Sequence, residues 1–261
     1  MKIAFLQVAG GIGAQVIGLL ALDSLESKGF FVFKDGRYFS DKGRKYIPED
    51  LSLFSKSLSD ESLHFNFFEK TNLTVLLVKY ILKILKLFFP KNIFFFGDFP
   101  KNLKQVEASN YLRDKVSDMT LTKIKKEISY SNKKIFPEYI CVHLRRGDYL
   151  QTDLEILRFP EMIEELKKIN DPRENLPIVI VTDSPELIKD EKEKFNLDCI
   201  IQSSSTTEDL NIMINSDYFI ASCSQLSLIS IWLSQSMKKI SCPISLKDVV
   251  NNLKGIEIFW R

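Results

Sequence analysis

The segment CVHLRRGDYL, at residues 141–150, combines side chains that suit the binding of a negatively charged ligand. An apolar run that is typical of a buried strand leads into His143, Arg145, Arg146 and Asp148. Arginine suits phosphate, because its charge is fixed and its planar guanidinium donates two parallel hydrogen bonds. These residue types predict an anion site at the end of the strand. One arginine would contact the ligand and the other would pair internally, with Asp148 as a candidate partner.

Polar residues also follow the other strands predicted in this half of the sequence. They are Thr182, Asp183 and Ser184 after one strand, Ser203 to Ser205 after the next, and Ser222, Ser224 and Gln225 after a third. In a parallel sheet these positions share one edge. Their hydroxyl and amide groups can cap the following helices, or they can bind a phosphate or ribose at the helix N-termini. The sequence leaves both interpretations open.

A glycine-rich stretch, GGIGAQ at residues 10–15, follows an apolar run and precedes a helix-like segment. This order is typical of a nucleotide-binding α/β unit. The stretch lacks the third glycine of the dinucleotide fingerprint, so it is a weak indication of NAD binding. Tyr130 and Lys134 have the YxxxK spacing of short-chain dehydrogenases, but a pattern with two fixed letters often arises by chance.

Composition argues against several classes of protein. The 36 basic residues nearly balance the 34 acidic ones, so no overall field favours nucleic acid. The 4 cysteines form no CxxC pair and the chain has only 2 histidines, so we expect no zinc site and a reducing, cytoplasmic setting. No Asp-x-Asp pair occurs, which argues against a metal-held diphosphate. We therefore expect no metal and no other cofactor.

Short apolar strands alternate with helices along both halves of the chain, which predicts an α/β fold with parallel sheets. The predicted strands are 2–8, 30–35, 91–100, 137–144, 177–184, 197–201 and 217–222. The predicted helices are 15–27, 73–90, 160–169, 185–195, 207–216 and 225–236. We expect two Rossmann-like domains, 1–134 and 135–261, with a cleft between them. Residues 37–72 show no clear period, and 101–131 is polar and helix-like.

The predicted helix 73–90 is apolar except for Lys79, Lys83 and Lys86, which share one face. The sequence favours a helix that is buried on most sides and exposes only this thin stripe. The alternative is a basic amphipathic helix that lies on an anionic membrane. The lysines interrupt every long apolar window, so we do not expect the helix to span a bilayer.

Together these motifs resemble those of the α-1,2-fucosyltransferases. The segment HLRRGDY, at 143–149, is similar to the family signature His-x-Arg-Arg-Gly-Asp-Tyr. Residues 10–15 are similar to the family's Gly-Gly-Leu-Gly-Asn-Gln turn, 178–188 to its Phe-Ser-Asp-Asp region, and 208–213 to its Asp-Asp-Leu run. The chain departs from the pattern at Ala14, where asparagine is expected, and at 223–229, where two tryptophans are lost. It therefore resembles a divergent member.

The resemblance implies an inverting, metal-independent glycosyltransferase of the GT-B architecture that uses GDP-fucose. The C-terminal domain would bind the GDP-sugar and the N-terminal domain the acceptor. Arg145, or Arg146 in its place, would stabilise the charge on the β-phosphate. Asp148 is a candidate general base on condition that it does not pair with an arginine, and Arg145 and Asp148 are the expected catalytic residues. The donor-binding residues would be Gly11, Gly13, Gln15, His143, Arg145, Arg146, Asp183, Ser184, Ser224, Gln225 and Ser227.

Three other functions remain open on the sequence: transfer of a different GDP-sugar, a catalytically inactive GDP- or glycan-binding module, and a nucleotide-dependent dehydrogenase. The expected partners are a GDP-sugar donor and an oligosaccharide or lipid-linked glycan acceptor in surface polysaccharide synthesis, with no nucleic acid. The expected location is the cytoplasm, with peripheral contact to the inner membrane through 73–90.

Overall fold

The fold is described from a computed structural model of the chain. It covers residues 2–7, 12–35, 72–90, 92–96, 122, 124–126, 128, 130–147, 150, 155–169, 175–250, 253 and 255–261. The chain divides into two compact units, Met1–Ile128 and Ser129–Arg261. The boundary lies a few residues before the one expected from the sequence. Most of the stretches 37–72 and 101–131, for which the sequence showed no clear strands, lies outside the described residues.

The first unit contains a parallel sheet with the strand order β2-β1-β3. Its strands are β1 (Lys2–Gln7), β2 (Phe30–Asp35) and β3 (Ile93–Phe96). Its helices are α1 (Ile12–Ser27) and α2 (Asn72–Phe88). Every strand and helix predicted in this part of the sequence is therefore present, with ends that differ by a few residues.

The helix α1 is buried along most of its length, as its almost wholly apolar sequence requires. It ends before Gly29, whose φ of +75° is a left-handed conformation that glycine adopts without a steric penalty. The helix begins at Ile12, earlier than predicted. Gly13 therefore lies in the first helical turn, which corrects the expectation that it belongs to a tight turn before the helix.

The helix α2 differs from the interpretation that the sequence favoured. One side packs through Val78 and Leu82 against Phe5 of β1 and Ile93 of β3. Most of its other apolar side chains are exposed to solvent. In the part of the chain that the structure describes, α2 packs on the sheet by one side only, so the interpretation of a helix buried on most sides is wrong. Within the described residues, no helix is both long and apolar enough to cross a bilayer.

The second unit contains six parallel strands in the order β6-β5-β4-β7-β8-β9. They are β4 (Ile140–Leu144), β5 (Ile178–Thr182), β6 (Ile200–Gln202), β7 (Tyr218–Ile220), β8 (Lys239–Cys242) and β9 (Glu257–Trp260). Counted from β4, this is the strand order 3-2-1-4-5-6 of a Rossmann fold. The predicted α/β class with two Rossmann-like parallel sheets is confirmed. The strands β8 and β9 were not identified from the sequence.

Helices cover both faces of this sheet, and β4 is buried at every position. The helices are α3 (Phe159–Ile169), α4 (Pro185–Lys194), α5 (Thr206–Ile214), α6 (Gln225–Leu233) and α7 (Lys247–Val250), and a 3-10 turn (Ile244–Leu246) precedes α7. Ile140 and Val142 of β4 pack with Phe159 and Met162 of α3 in one apolar cluster. This rigid core fixes where the polar residues at the carboxyl end of β4 lie.

Candidate functional site

The candidate site lies at the carboxyl edge of the second sheet, where the chain changes direction. From β4 the chain adds β5 and β6 on one side, then returns to add β7 on the other. Ligands of open parallel sheets bind in the crevice that forms at such a switch point. The predicted residues of this unit group on its two sides: Arg145, Arg146, Asp183 and Ser184 toward β5, and His143, Ser224, Gln225 and Ser227 toward β7.

Asp183, just after β5, organises the charged side of the site. Its Oδ2 atom lies 3.1 Å from Nη1 of Arg145. Its Oδ1 atom accepts hydrogen bonds from the backbone N–H groups of Arg146, at 2.8 Å, and Gly147, at 3.2 Å. The carboxylate therefore holds both the loop after β4 and one guanidinium group. Its contacts are those of a residue that positions the loop.

The two adjacent arginines have different surroundings. The side chain of Arg146 is 7% exposed, and its Nη2 atom lies 3.6 Å from Oε2 of Glu191 on α4. The side chain of Arg145 is 31% exposed. Arg146 is thus the arginine that pairs internally, while Arg145 is the more accessible to a ligand. The internal partner observed is Glu191, whereas the candidate partner Asp148 lies outside the described residues.

Gly147 is required by the close approach of the loop to Asp183. A Cβ atom at this position would lie 2.5 Å from Oδ2 of Asp183, closer than real contacts allow. Any larger residue would displace the carboxylate from Arg145. Glycine therefore occurs at this position of the HLRRGDY segment because the carboxylate of Asp183 leaves no room for a side chain.

On the other side, His143 is almost completely buried among hydroxyl groups. Its Nδ1 atom lies 2.7 Å from Oγ of Ser227, 3.0 Å from Oγ of Ser222 and 3.3 Å from Oγ of Ser224. Burial lowers the pKa of His143 to about 4; the positive charge of Arg145 adds to this shift and Asp183 opposes it. The imidazole is therefore neutral at pH 7.

The hydrogen bonds around these serines favour one tautomer of His143. Oγ of Ser227 accepts from the backbone N–H of Ser222, and Oγ of Ser224 accepts from the backbone N–H of Ser227, both at 3.1 Å. Each of the three hydroxyl groups around Nδ1 carries one proton that it can donate to this nitrogen. The network thus favours an Nδ1 atom that accepts and an Nε2–H group that can donate to a ligand.

The capping interpretation holds for some of the strand-end serines and not for others. Ser224 caps α6, and Ser205 caps α5 in a reciprocal pair with Glu208. Ser184 precedes α4 without capping it, and its Oγ atom lies 3.4 Å from Oδ1 of Asp183. Gln225 is the half-buried first residue of α6. Ser184 and Gln225 are thus at the site without a capping role.

Two parts of the site were missed from the sequence. Glu191 is one of several acids on α4, and nothing in its spacing distinguishes it. Arg261, which follows the unpredicted strand β9, donates through Nη2 to the carbonyl oxygen of Ala221. Its Nη1 atom lies 3.4 Å from Oε1 of Glu155. Arg261 therefore braces the loop after β7 that contains the serines.

The remaining predicted residues lie in the first unit. Gln15 of α1 is fully buried, and neither polar atom of its side chain has a hydrogen-bond partner in the described structure. Such an unpaired amide is unfavourable by roughly 1–3 kcal/mol. Gly13 is buried in the same helical turn, and Gly11 lies outside the described residues. Their role as donor ligands stays a prediction.

The geometry bears on two alternative chemistries, that of a short-chain dehydrogenase and that of a metal-dependent enzyme. Lys134, of the YxxxK spacing, pairs at 2.7 Å with Asp217, which precedes β7 at the opposite edge of the sheet. Tyr130 contacts Asn215 in the same region. These contacts give Tyr130 and Lys134 a structural role, and they do not support a dehydrogenase site at the YxxxK spacing. No three His, Cys, Asp or Glu side chains group as metal ligands among the described residues, and metal independence stays a prediction.

Comparison with known proteins gives one family. The sequence matches the family described as Glycosyl transferase family 11 over residues 50–242. No curated protein matches it.

The chain is also similar to several solved structures, all at low identity. The fucosyltransferase NodZ from Bradyrhizobium is 12% identical with a TM-score of 0.45, over 89% of this chain and 92% of that one. POFUT1 in complex with GDP is 14% identical with a TM-score of 0.42, over 99% and 98%. The E. coli ADP-heptose lps heptosyltransferase II is 10% identical with a TM-score of 0.48, over 99% and 90%.

Proposed function

The chain belongs to glycosyl transferase family 11, and on this premise we propose that it transfers L-fucose from GDP-fucose to a hydroxyl group of a glycan acceptor. The transfer proceeds with inversion, needs no metal ion and serves surface polysaccharide synthesis. The observation that carries the proposal is the placement of Arg145, accessible and held by Asp183, beside the neutral His143 at the switch point. The choice of GDP-fucose rests on the resemblance of the HLRRGDY segment.

Arg145 is the residue that meets the diphosphate of the donor. Negative charge grows on the β-phosphate as the bond from the sugar to the phosphate breaks, and a fixed guanidinium stabilises that charge. Asp183 and the loop after β4 hold Arg145 before the donor arrives. Little reorganisation is then needed in the transition state, which is the condition under which such a charge is most effective.

The neutral side of the site orients the donor. His143 offers its Nε2–H group to a phosphate or ribose oxygen, because the serines occupy Nδ1. The N-terminus of α6, which begins at Gln225, favours negative charge through the helix dipole. On the charged side of the site, the hydroxyl group of Ser184 lies within hydrogen-bonding distance of Asp183.

The reaction is a single displacement. The acceptor hydroxyl oxygen attacks C1 of the fucose from the face opposite the phosphate, and a new glycosidic bond forms with inversion. The bond between C1 and the phosphate oxygen breaks, its electron pair leaves with GDP, and the hydroxyl proton passes to a base. Asp148 is the candidate base if it does not pair with an arginine.

Thermal protection and turnover test the proposal. GDP and GDP-fucose should raise the melting temperature, because a ligand at a hundredfold excess over its Kd stabilises a protein by about 2.7 kcal/mol. NAD and UDP should not. GDP-fucose should then be consumed with a glycan acceptor in the presence of EDTA.

The same panel separates the alternatives. Protection and turnover with GDP-mannose alone would indicate a different sugar. Protection by GDP without consumption of any GDP-sugar would indicate a binding module. Protection by NAD and not by GDP would overturn the proposal.

A further inference from the structure

The helix α2 concentrates the exposed apolar surface of the protein. Nine of the large apolar side chains from Leu76 to Phe89 are exposed, by fractions of 36% to 80%, and they outnumber those exposed elsewhere in the described chain. Scattered apolar side chains are ordinary on a protein surface, whereas a contiguous patch of this size marks an interaction site. Among the residues that the structure describes, neither the packing of the fold nor the proposed reaction uses this surface.

The exposed side chains form a continuous surface, because residues three and four apart lie above one another on a helix. We call the apolar face of α2 the group Leu76, Leu77, Tyr80, Ile81, Ile84, Leu87 and Phe88. The helix rises about 1.5 Å per residue, so the face from Leu76 to Phe88 is roughly 18 Å long. The opposite side packs through Val78 and Leu82 on the first sheet. The scaffold therefore holds the apolar face outward.

Positive charge borders this face on one flank. Lys83 and Lys86 are exposed and lie between the apolar face and the packed side, and Lys79 lies 5.8 Å from the ring of Phe5. The sequence contains no aspartate or glutamate between Glu69 and Asp98. The segment of α2 itself thus contributes apolar side chains and positive charge, and no negative charge.

We propose that α2 docks on the surface of a membrane that contains anionic phospholipids. The apolar face enters the boundary between headgroups and acyl chains, while Lys83 and Lys86 extend toward the lipid phosphates. A second copy of the chain fits less well, because α2 would bring further lysines and no acidic residue to neutralise them. The inference is independent of the proposed reaction.

Sedimentation with lipid vesicles tests this docking directly. The full chain should bind vesicles in which about a third of the lipid is phosphatidylglycerol, and should bind pure phosphatidylcholine far more weakly, since each lysine near an anionic surface strengthens binding roughly fivefold. Raising the salt concentration should weaken binding, because it shortens the range of the charges.

One pair of variants tests the apolar face. The variant Tyr80→Ser/Ile84→Ser/Leu87→Ser should reduce the vesicle-bound fraction at least tenfold. Its matched control is Ile135→Ser/Leu187→Ser/Ile200→Ser, which removes three apolar side chains of comparable exposure in the second unit and should leave binding unchanged.

A second pair of variants tests the contribution of the charge. The variant Lys83→Gln/Lys86→Gln should weaken binding to anionic vesicles about 30-fold, and binding to phosphatidylcholine much less. Its control, Lys167→Gln/Lys189→Gln, removes the same charge from the exposed faces of α3 and α4.

Three results would overturn the proposal. The first is equal binding of all variants to anionic vesicles. The second is absence of vesicle binding together with a molar mass that halves in the apolar-face variant, which would make the face an interface between copies. The third is absence of vesicle binding with a monomeric wild-type chain and a lower melting temperature of that variant, which would show that the chain covers its own face.

Discussion

The two sides of the candidate site, which flank β4 at the switch point, differ in charge and in burial. Toward β5 the site is charged: Arg145 and Asp183 form an ion pair that stays partly in contact with solvent. Toward β7 it is neutral: His143 and Ser227 are buried and joined by a hydrogen bond. Burial of a charge is costly, whereas a neutral ring and a hydroxyl group can be buried once they are hydrogen-bonded.

This difference indicates separate roles for Arg145 and His143 in binding the donor. A group that meets a phosphate must keep its charge and remain accessible, which describes Arg145. A group that orients a ligand must hold one position and one protonation state, which describes His143. Asp183 connects the two sides, because it holds the loop after β4 and also acts on the pKa of His143.

The largest expected effect comes from removing the accessible charge. Arg145→Ala should lower kcat with GDP-fucose by about 10²–10³-fold, which is the usual range when a preorganised group that stabilises transition-state charge is removed. The melting temperature should change little, because the side chain is partly exposed. Steady-state kinetics and thermal unfolding measure the two quantities.

The control for this variant is Arg145→Lys, which keeps the charge but loses the planar fork, and which should fall between Arg145→Ala and the unchanged protein. Near-normal turnover by a folded Arg145→Ala protein would contradict the role given to the charged side.

A smaller effect is expected from Gly147→Ala. The added methyl group would collide with Asp183, so the variant should lose roughly 1–3 kcal/mol of unfolding free energy, as overpacked sites do. Turnover should fall with it, because displacement of Asp183 releases Arg145. Urea unfolding measures the loss of unfolding free energy, and the same kinetic assay measures the loss of turnover.

A double-mutant cycle with Asp183→Ala sharpens the test. If the collision is the cause, the stability losses of the two single variants should add to more than the loss of Gly147→Ala/Asp183→Ala. Strict additivity would show that the glycine is needed for another reason.

The smallest expected effect is the pH dependence of the neutral side. The fold lowers the pKa of His143 to about 4 from an ordinary value near 6.5, so it favours the neutral ring. The stabilisation of the folded state that comes from the neutral ring is fully present above pH 6.5. It is lost as the pH falls toward 4, because the unfolded chain then binds the proton that the folded protein excludes. Between pH 7 and pH 5.5 the free energy of unfolding should drop by about 1 kcal/mol from this group.

The variant His143→Gln is the comparison, because glutamine does not titrate. It should lose less stability over the same pH interval than the unchanged protein does, in urea unfolding at matched ionic strength. Identical slopes for the two proteins would mean that His143 does not titrate on unfolding as its burial requires.

Hydrophobic pattern predicted most of the second unit. The runs that became β4, β5 and β7 are apolar and bounded by polar residues, so their assignment needed no tertiary information. The strands β8 and β9 were missed, because KISC and EIFW are too short to show a period. Pairing with β7 and with each other makes them strands.

The error at α2 has a related cause. Sequence periodicity showed which residues share a face of the helix, and it located Lys79, Lys83 and Lys86 on one stripe. It could not show how many neighbours the helix has. Only the packing on β1 and β3 reveals that one side is covered and that the apolar face is exposed.

The sequence by itself determined the chemical groups of the candidate site and the strand ends that carry them, because residue type and apolar runs are local properties. Only the tertiary structure decided their states. Arg146 pairs with Glu191, and His143 becomes neutral against serines far along the chain, because sheet order brings these residues together and burial penalises charge. The burial of a side chain and its distance from residues far along the chain are set by the tertiary structure, so a local sequence pattern cannot predict them.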